Sequence, residues 1–568
     1  MSEKITRRTF LSAAAWAGAA LASPGLVACG KPKTAGKPPR IVIISIDSLD
    51  PRYLALDQNG MPGGRPGNRL MPKVHEFLEG GATLAGARCF LPAATDANHL
   101  NALAGTHPGM TGVLGVSVQP AGFGPDGRMA VFPTSLSWAR TADGKPVDTL
   151  LAAYGRRYGK SAKVLAVSGK DWVGRMLNAP GSGLSALVVG KDHPSYVPAP
   201  RPYSFYDPPG DENADTDKES IYQKLFSHIA YEGRPERFPC DEWIKDAALA
   251  VITREKPELA FVIFAQMDDL SHGLGCAYPE DFVPGEGGGV CRFNPMVYRE
   301  PALDGVRDVD RRFGEFMVRL TAMPEYRDAV YVLYSDHGHV THRSTLVTPL
   351  LRPSGTDFTK VLKSARVVSK KEAKGIGLGA YSATSLGFLY FPEKNAEARA
   401  ARGKEAREAL EAHRVVDPET RGLECPWQAV DRPGMIAGVP GVCPPGELFH
   451  PYLAEGGHAG LPPWPDVFLF ARNGWQLPLT QGLATNLGAK VPWYVPDGEV
   501  FLGGHGSPDT SKILIAFRGP GIARGKILPD PDGKQNHTIA DIAPTVCGLT
   551  GLSLETPVVG QDRSRQLA

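Results

Sequence analysis

Acidic and imidazole side chains follow three of the apolar runs in this sequence. Asp47 comes directly after the first run, Asp268–His272 shortly after the second, and Asp336–His339 after the third. One aspartate after a strand usually caps a helix or a turn. Carboxylates gathered at three strand ends would repel one another unless cations neutralised them, and mixtures of aspartate and histidine are typical ligands of zinc and similar metals. The pattern therefore predicts a metal-centred site.

A hydroxyl group lies between these segments along the chain. Thr95 opens the segment Thr95–His99, which leads into a short helical pattern. On local sequence alone, this threonine could be the N-cap of that helix. The same position also suits an anion, because the free N–H groups and the dipole of a helix N-terminus favour negative charge there. Thr95 is therefore a candidate for the group that meets a negatively charged substrate.

The elements that must position these residues are short apolar strands. Continuous apolar runs, rather than alternating ones, suit strands covered on both faces. The runs are Ile41–Ile46, Val164–Val167, Leu187–Val189, Phe261–Phe264, Val330–Tyr334 and Ile513–Phe517. Between them, the segment Leu303–Leu320 carries an apolar stripe at helical spacing. We predict an α/β fold with a doubly wound, mostly parallel sheet and helices on both faces, where ligands collect beyond the carboxyl ends of the strands.

The order of the polar segments along the chain is itself informative. Together they resemble the alkaline phosphatase superfamily, specifically its type I phosphodiesterase/nucleotide pyrophosphatase-like branch and the related phosphatases and phosphonoacetate hydrolases. The segments that carry the resemblance are Ser45–Asp47, Thr95–His99, Asp268–His272, Ser335–Gly338, Gly504–Gly506 and Thr538–Thr545. Each segment is short, but they follow one another in the family's order over nearly the whole chain.

The resemblance implies a catalytic site with two divalent metal ions, which are usually zinc in this family. Thr95 would be the nucleophile and would carry a covalent phosphoryl group between two displacements. Asn98, in the same segment, is assigned to substrate binding. One ion would be held by Asp47, Thr95, Asp336 and His337, and the other by Asp268, His272 and His505. The substrate would be a small-molecule phosphate ester.

Some of these assignments have competitors in the sequence. Asp269 could replace Asp268, although only Asp268 has the four-residue spacing to His272 that the family shows. His458 competes with His505 as the last ligand, and His505 is favoured because its segment leads directly into the final strand. Other polar residues nearby are expected to support the ligands or to face solvent: His339, His342 and Asp96.

Two positions depart from the phosphodiesterase pattern and bear on the substrate. Val116 stands where that branch has a phosphate-binding asparagine. Lys170, in the segment Ser168–Trp172, resembles a lysine with which monoesterase and phosphonoacetate-hydrolase relatives bind additional phosphoryl charge, although Trp172 replaces their second cation. Lys170 is therefore predicted to bind substrate, with a solvated loop lysine as the alternative. Phosphodiester, phosphomonoester and phosphonate substrates all remain open.

Two other functions compete with phosphoester hydrolysis. A sulfatase-like hydrolase is disfavoured, because Thr95 stands where the cysteine or serine precursor of formylglycine would be needed. A non-catalytic, metal-binding lipoprotein of the cell envelope could keep the same fold and ligands. The complete set of ligands and nucleophile argues against this second alternative.

The N-terminal residues resemble an export signal. Arg7 and Arg8 precede a short, alanine-rich apolar run, as in signals that the twin-arginine translocase reads. Cys29 ends a lipobox-like segment, which predicts a lipid anchor on this residue, with an ordinary signal peptide as the alternative. We predict a signal peptide over 1–28, a tether over 29–40 and a catalytic domain over 41–568 with insertions near 117–160 and 343–500. The expected location is the periplasm or cell envelope.

The charge balance and the cysteines limit the remaining possibilities. The chain has 62 basic and 60 acidic residues without a basic run, which gives no electrostatic reason to expect nucleic-acid binding. An exported protein can keep disulfides, and two close pairs lie in loop-like stretches: Cys276 with Cys291, and Cys425 with Cys443. Cys89 and Cys547, flanked by apolar residues, are expected to be buried thiols.

Overall fold

The computed structural model describes most of the chain between residues 39 and 568. The described ranges are 39–59, 64–115, 118–123, 129–133, 136–159, 162–179, 181–189, 205–206, 240–276, 278, 282–285, 288–291, 299–342, 358–370, 372, 379–383, 385–393, 395–416, 422–454, 464–472, 474–475, 477, 503–530, 533 and 536–568. The predicted signal segment, Cys29, Val116 and His458 lie outside these ranges. Among the helices within them, none combines the length and apolar character that a membrane span requires.

The strands of the described residues carry the labels β1 to β21 in chain order. They are β1 Ile41–Ile46, β2 Ala82–Leu84, β3 Val118–Phe123, β4 Met129–Pro133, β5 Val164–Ser168, β6 Ala186–Val189, β7 Phe205–Tyr206, β8 Leu259–Phe264, β9 Phe282–Gly285, β10 Gly288–Cys291, β11 Val330–Tyr334, β12 Val340–Thr341, β13 Gly379–Ala383, β14 Leu386–Tyr390, β15 Val415–Val416, β16 Leu423–Glu424, β17 Trp427–Asp431, β18 Val467–Ala471, β19 Gly503–Gly504, β20 Ile515–Arg518 and β21 Lys526–Leu528.

The α-helices of the described residues carry the labels α1 to α14 in the same way. They are α1 Pro72–Glu79, α2 Thr95–Ala104, α3 Pro108–Thr111, α4 Leu150–Tyr158, α5 Asp171–Leu177, α6 Cys240–Glu255, α7 Gln266–Leu274, α8 Arg299–Ala322, α9 Phe358–Ser364, α10 Ala396–Ala412, α11 Arg432–Ala437, α12 Pro451–Ala454, α13 Ile542–Thr550 and α14 Ser564–Leu567.

Nine strands form the central sheet, in the order β21-β2-β20-β11-β1-β8-β5-β6-β7. The five strands from β11 to β6 are parallel to one another, whereas β20 pairs antiparallel with both of its neighbours and β7 pairs antiparallel with β6. Strand β1 lies between β11 and β8, with Ser45 opposite both Tyr334 and Ile263. The carboxyl ends of these three strands therefore meet at one edge of the sheet.

Both faces of the sheet are covered, as the continuous apolar runs predict. In β1, Ile41 and Ile43 pack into one hydrophobic core and Val42 and Ile44 into another on the opposite face. Helix α8 buries the predicted stripe against the second core with Val306, Val309, Phe313, Phe316, Met317 and Leu320. Alternate side chains of one strand thus serve two layers of helices. The predicted doubly wound, mostly parallel fold is confirmed.

The segments predicted to be insertions contribute small antiparallel elements instead of strands of the central sheet, within the ranges described. Strands β3 and β4 form a hairpin, and β13-β14-β18-β17 form a separate four-stranded sheet. Helix α10 packs on this second sheet, where the indole of Trp427 donates to the carbonyl of Leu410 over 2.7 Å. The four-stranded sheet packs against the segment that carries His505. Gly506, the next residue, lies so close to Leu386 in β14 that a Cβ at Gly506 would be 2.8 Å from the Cβ of Leu386.

The suggested disulfide between Cys425 and Cys443 is not present. Both are free thiols, and they belong to different hydrophobic cores. The thiol of Cys425 lies 3.0 Å from the carbonyl oxygen of Trp427. Cys89 is a buried thiol as predicted, while Cys547 is half-buried. The side chain of Cys291 lies outside the described residues, so its suggested pairing with Cys276 stays untested.

Candidate active site

Three parallel strands deliver most of the predicted ligands. Asp47 follows β1 directly, and its amide donates to the carbonyl of Phe264 at the end of β8. After β8 the chain enters α7, whose first two turns carry Asp268 and His272 four residues apart on one face. After β11 the chain runs through Asp336 and His337 without regular structure. Because β1 lies between β8 and β11, Asp47 lies between the other two segments.

Thr95 is the first residue of α2, and its hydroxyl is not the helix cap. The cap position is Ala94, which has no side-chain hydrogen bond to offer. The hydroxyl oxygen of Thr95 lies 3.0 Å from Nε2 of His337, and the residue is only 5% exposed. The helix N-terminus and the β11 segment therefore bring the predicted nucleophile against a predicted ligand.

Asn98 contacts the backbone that precedes Thr95. Its amide group donates to the carbonyls of Phe90 and Pro92, at 3.1 and 3.3 Å, and its oxygen accepts from the amide of Phe90. These bonds fix the segment that leads into α2. The substrate-binding role of Asn98 stays a prediction, because the contacts that the structure gives are to the chain itself.

The first predicted ligand group converges around His337. Its Nε2 lies 3.7 Å from Oδ1 of Asp47 and 3.3 Å from Oδ2 of Asp336. All three residues are fully buried. Both carboxylate oxygens of Asp47 and Oδ2 of Asp336 have no hydrogen-bond partner among the described residues. Buried carboxylate oxygens without partners are costly, and a cation between them would remove that cost.

The second predicted group converges on Asp268. Its Oδ1 lies 3.6 Å from Nε2 of His272 and 3.8 Å from Nε2 of His505. The other ring nitrogens are occupied: Nδ1 of His272 lies 3.0 Å from the carbonyl of Gly503, and Nδ1 of His505 lies 2.8 Å from the carbonyl of Ala93. A carbonyl at Nδ1 holds the proton there and leaves Nε2 as the metal-binding atom.

Lys170 lies inside the carboxylate cluster. Its ammonium group pairs closely with Asp268 and lies 3.4 Å from Oδ1 of Asp269 and 3.8 Å from Oδ2 of Asp47. The side chain is 1% exposed, and the ring of Trp172 lies 5.1 Å away. The alternative of a solvated loop lysine is therefore wrong. The three remaining polar residues that sequence placed near the site are also buried: His339, His342 and Asp96.

Burial controls the protonation of the site. It raises the pKa of Asp47 well above the ordinary value, and the nearby Asp336 carboxylate adds to this effect. Burial acts in the same direction on Asp268, but Lys170 and the surrounding imidazoles outweigh it and lower the pKa of that carboxyl well below its ordinary range. Burial lowers the pKa of His337 to about 4. A neutral imidazole keeps the lone pair that a metal ion requires.

Ser48 is a site residue that the sequence did not indicate. It has a left-handed backbone with φ of 70°, rare for a residue other than glycine, and it is fully buried. Its amide donates to Oδ1 of Asp336 over 2.9 Å. Its hydroxyl lies 3.2 Å from Nδ1 of His337 and also contacts Nδ1 of His339. The only sequence signal for this role is its position directly after Asp47.

Two further buried residues, Asp241 and His99, contact the ligand segments although they lie far from them in the sequence. Oδ1 of Asp241 accepts from the amides of Ala265 and Gln266, at 2.7 and 3.2 Å, where α7 begins. Nδ1 of His99 lies 2.7 Å from the hydroxyl of Tyr334, while its Nε2 is directed toward the carboxylate of Asp336. Neither contact can be read from local spacing, because each joins segments from different elements of the fold.

The candidate ligand atoms form three overlapping groups, and within each group all atoms lie within 4.8 Å of one another. His272 and His505 are half-buried, and the other residues of these groups are buried. Aspartate oxygens with imidazole nitrogens are the donor set that zinc prefers. The groups are Asp268 with His272, His339 and His505; Asp47 with Asp268 and His337; and Asp47 with His99 and Asp336. Fold and site together define an α/β protein with a mostly parallel central sheet and a hydroxyl group beside clustered candidate metal ligands.

Sequence comparison assigns this class to a family. The chain belongs to the type I phosphodiesterase / nucleotide pyrophosphatase family, whose profile matches residues 41–481. It is accordingly a metal-dependent phosphoesterase. A search of curated proteins returned no match. Among solved structures, murine ectonucleotide pyrophosphatase / phosphodiesterase 5 is similar at 13% identity and a TM-score of 0.49, with 93% of this chain and 99% of that chain covered.

Two related structures give the same degree of similarity. An inactive form of the murine protein in complex with AMP is 12% identical, with a TM-score of 0.49 and coverage of 93% of this chain and 100% of that chain. The human protein is 13% identical, with a TM-score of 0.49 and coverage of 93% and 99%.

Proposed function

We propose that this chain hydrolyses small phosphate esters through a covalent phosphoryl group on Thr95. The observation that carries the proposal is the position of the Thr95 hydroxyl. It lies at the N-terminus of α2, 3.0 Å from Nε2 of His337, which in turn lies 3.7 Å from Oδ1 of Asp47. A helix N-terminus favours the negative charge of a phosphoryl group at this point.

The ligand residues fit two divalent metal ions, for which the donor set favours zinc. Asp47, Asp336 and His337 would hold one ion together with Thr95. Asp268, His272 and His505 would hold the other. When bound, such ions lower the pKa of a coordinated hydroxyl and neutralise charge on the leaving oxygen. The oxygens of Asp47 and Asp336 that accept no hydrogen bond among the described residues would then have a cation as their partner.

Three residues of the chain, Thr95, Asn98 and Ser48, have the remaining roles in the proposed reaction. The hydroxyl of Thr95 releases its proton to solvent and its oxygen attacks phosphorus, while the bond to the leaving oxygen breaks and the leaving group departs. The phosphoryl group stays on Thr95 until water attacks phosphorus, breaks the bond to the Thr95 oxygen and releases the phosphoryl group. Asn98 fixes the segment that carries Thr95, through its bonds to the backbone of Phe90. Ser48 holds Asp336 and the ring of His337, so the nucleophile meets ligands of fixed orientation.

Chromogenic esters test this function directly. We expect the metal-loaded protein to release product from phosphodiester or phosphomonoester substrates at least about 100-fold faster than from a sulfate ester, because Thr95 cannot become formylglycine. A phosphonate ester completes the comparison. The Thr95→Ala variant is the matched control, since contaminating phosphatases would survive in that preparation. Faster sulfate than phosphate hydrolysis would reject the proposed reaction.

Lys170 bears on the choice between monoester and diester. A buried ammonium group near the site favours the more negative substrate. We expect Lys170→Ala to lower kcat/KM for a monoester by roughly 10- to 1000-fold, in line with losing one charged contact, and to lower the diester rate much less. Because Lys170 also pairs with Asp268, metal content must be measured in the same samples. Equal losses on both substrates, accompanied by metal loss, would contradict a role in substrate binding.

We also propose that the protein acts outside the cytoplasm as a lipid-anchored lipoprotein. The support lies in the sequence, where Arg7 and Arg8 precede an alanine-rich run and Cys29 ends a lipobox-like segment. The twin-arginine translocase would be the export partner, and the membrane would be reached through the lipid on Cys29.

A further inference from the structure

We propose that His339 is a fourth protein ligand of the ion that Asp268, His272 and His505 would hold. The inference rests on the proposed metal-dependent function, and it concerns a residue that sequence reasoning placed outside the ligand set. If it is right, this metal position has four protein ligands, Asp268 with three imidazoles, and a leaving oxygen would reach the ion as a fifth ligand. A three-ligand position, by contrast, leaves a place for water or substrate.

The distances among the four side chains support this assignment. Nε2 of His339 lies 3.6 Å from Oδ1 of Asp268, the same distance as Nε2 of His272, and Nε2 of His505 lies 3.8 Å away. Tetrahedral zinc with bonds of about 2.0–2.1 Å separates its ligand atoms by about 3.4 Å. The four ligand atoms also lie within 4.8 Å of one another. His339 therefore belongs to the same cluster, at a distance from Asp268 like those of the two predicted histidines.

The orientation of His339 matches that of the other two imidazoles. Its Nδ1 contacts the hydroxyl of Ser48, just as the Nδ1 atoms of His272 and His505 contact backbone carbonyls. Its Nε2 is fully buried and has no hydrogen-bond partner among the described residues. A buried polar atom without a hydrogen-bond partner destabilises the folded protein. Coordination of a metal ion would give Nε2 the partner it lacks.

Ser48 holds the ring of His339 in the orientation that a metal ligand requires. The left-handed backbone of Ser48 places one hydroxyl against Nδ1 of both His337 and His339, whose ring centres are 5.8 Å apart. These two histidines belong to different ligand groups. One side chain therefore orients an imidazole toward each metal position, which is the role of outer-sphere partners in metal sites.

Metal affinity distinguishes a ligand from a supporting residue. We expect His339→Ala to weaken retention of one of the two zinc ions by at least about 100-fold, the upper end of the loss caused by an outer-sphere change. Competition with a chromophoric chelator measures this affinity without enzyme turnover. Added imidazole should restore part of it by entering the space left by the ring. His342→Ala is the matched control: His342 is also buried, three residues further on, but lies outside the ligand groups.

X-ray absorption of the zinc-loaded wild-type protein gives a second measurement that needs no folded variant. Four imidazoles shared by two ions are expected with His339 as a ligand, and three without it. Three imidazoles, or unchanged zinc affinity in a folded His339→Ala protein, would overturn the proposal. If the wild-type protein binds no zinc at all, the proposed function fails as a whole, and that outcome is distinct from a failure confined to His339.

Discussion

Thr95→Ala is expected to lower phosphoester hydrolysis by about 1000-fold or more, because it removes the oxygen that would attack phosphorus. Metal content should stay close to that of the wild type. Thr95 would contribute only one oxygen to its proposed ligand group, whereas Asp47, Asp336 and His337 remain in place. The measurement is steady-state turnover of a chromogenic ester, with zinc content determined on the same sample.

Two controls separate loss of the nucleophile from general damage. Thr95→Ser keeps a hydroxyl group at the N-terminus of α2 and should retain much more activity than Thr95→Ala. Brief reaction of the wild-type protein followed by acid quenching should trap phosphate on Thr95, detectable by peptide mass spectrometry. An unchanged rate in Thr95→Ala would mean that water attacks phosphorus directly, and the covalent step would have to be abandoned.

Much of the fold follows from the sequence, because burial on both faces leaves a strong signal. Strands β1 and β11 have the bounds of the apolar runs Ile41–Ile46 and Val330–Tyr334. Strand β20, at Ile515–Arg518, begins two residues later and ends one residue later than the run Ile513–Phe517 predicts. Strand order has no such signal. Nothing in the sequence says that β1 lies between β8 and β11, although this order brings the ligands together.

The site residues also fall into those that the sequence predicts and those that depend on how the strands are arranged. Asp47, Asp268 and Asp336 can be recognised because each follows a strand directly or by a few residues. The position of Lys170 against Asp268 depends on β5 and β8 being neighbours, with Ser168 opposite Ile263. A lysine after a strand is usually solvated, so local sequence cannot reveal its burial.

Other contributions depend on conformation or on long-range contacts. The left-handed backbone of Ser48 has no sequence signature in a residue other than glycine. Asp241 reaches the start of α7 from another helix, 24 residues earlier in the chain. His339 follows a recognised motif, but its approach to Asp268 appears only after the chain has folded. These residues act through three-dimensional arrangement, which composition and spacing do not encode.

Removal of divalent metal is expected to abolish hydrolysis and to lower the thermal stability of the protein. Asp47, Asp268 and Asp336 are at most 3% exposed, and Lys170 forms ion pairs with two of them, Asp47 and Asp268. Ions bound only to the folded state stabilise it, by about 4 kcal/mol for a site with free ion at 1,000 times its Kd. Dialysis against a strong chelator, followed by assay and thermal melting, measures both effects.

The direction of the pH dependence of metal binding follows from the protonation of the ligands. Ligands must lose protons to bind a metal, so acid competes with the ion. Burial lowers the pKa of His337 to about 4, so this ring stays neutral as the solution is mildly acidified. Burial, together with Asp336, raises the pKa of Asp47, and this carboxyl should take up a proton first. Zinc affinity should therefore fall as pH decreases from neutrality, and Asp47→Asn should bind the ion weakly at every pH.

Readdition of zinc at neutral pH is the control for the chelation experiment, and it should restore the activity and the melting temperature of the chelated wild-type protein. Full activity with less than roughly 0.1 metal ion per chain would refute the metal-dependent mechanism, since two-metal hydrolysis requires both sites to be occupied.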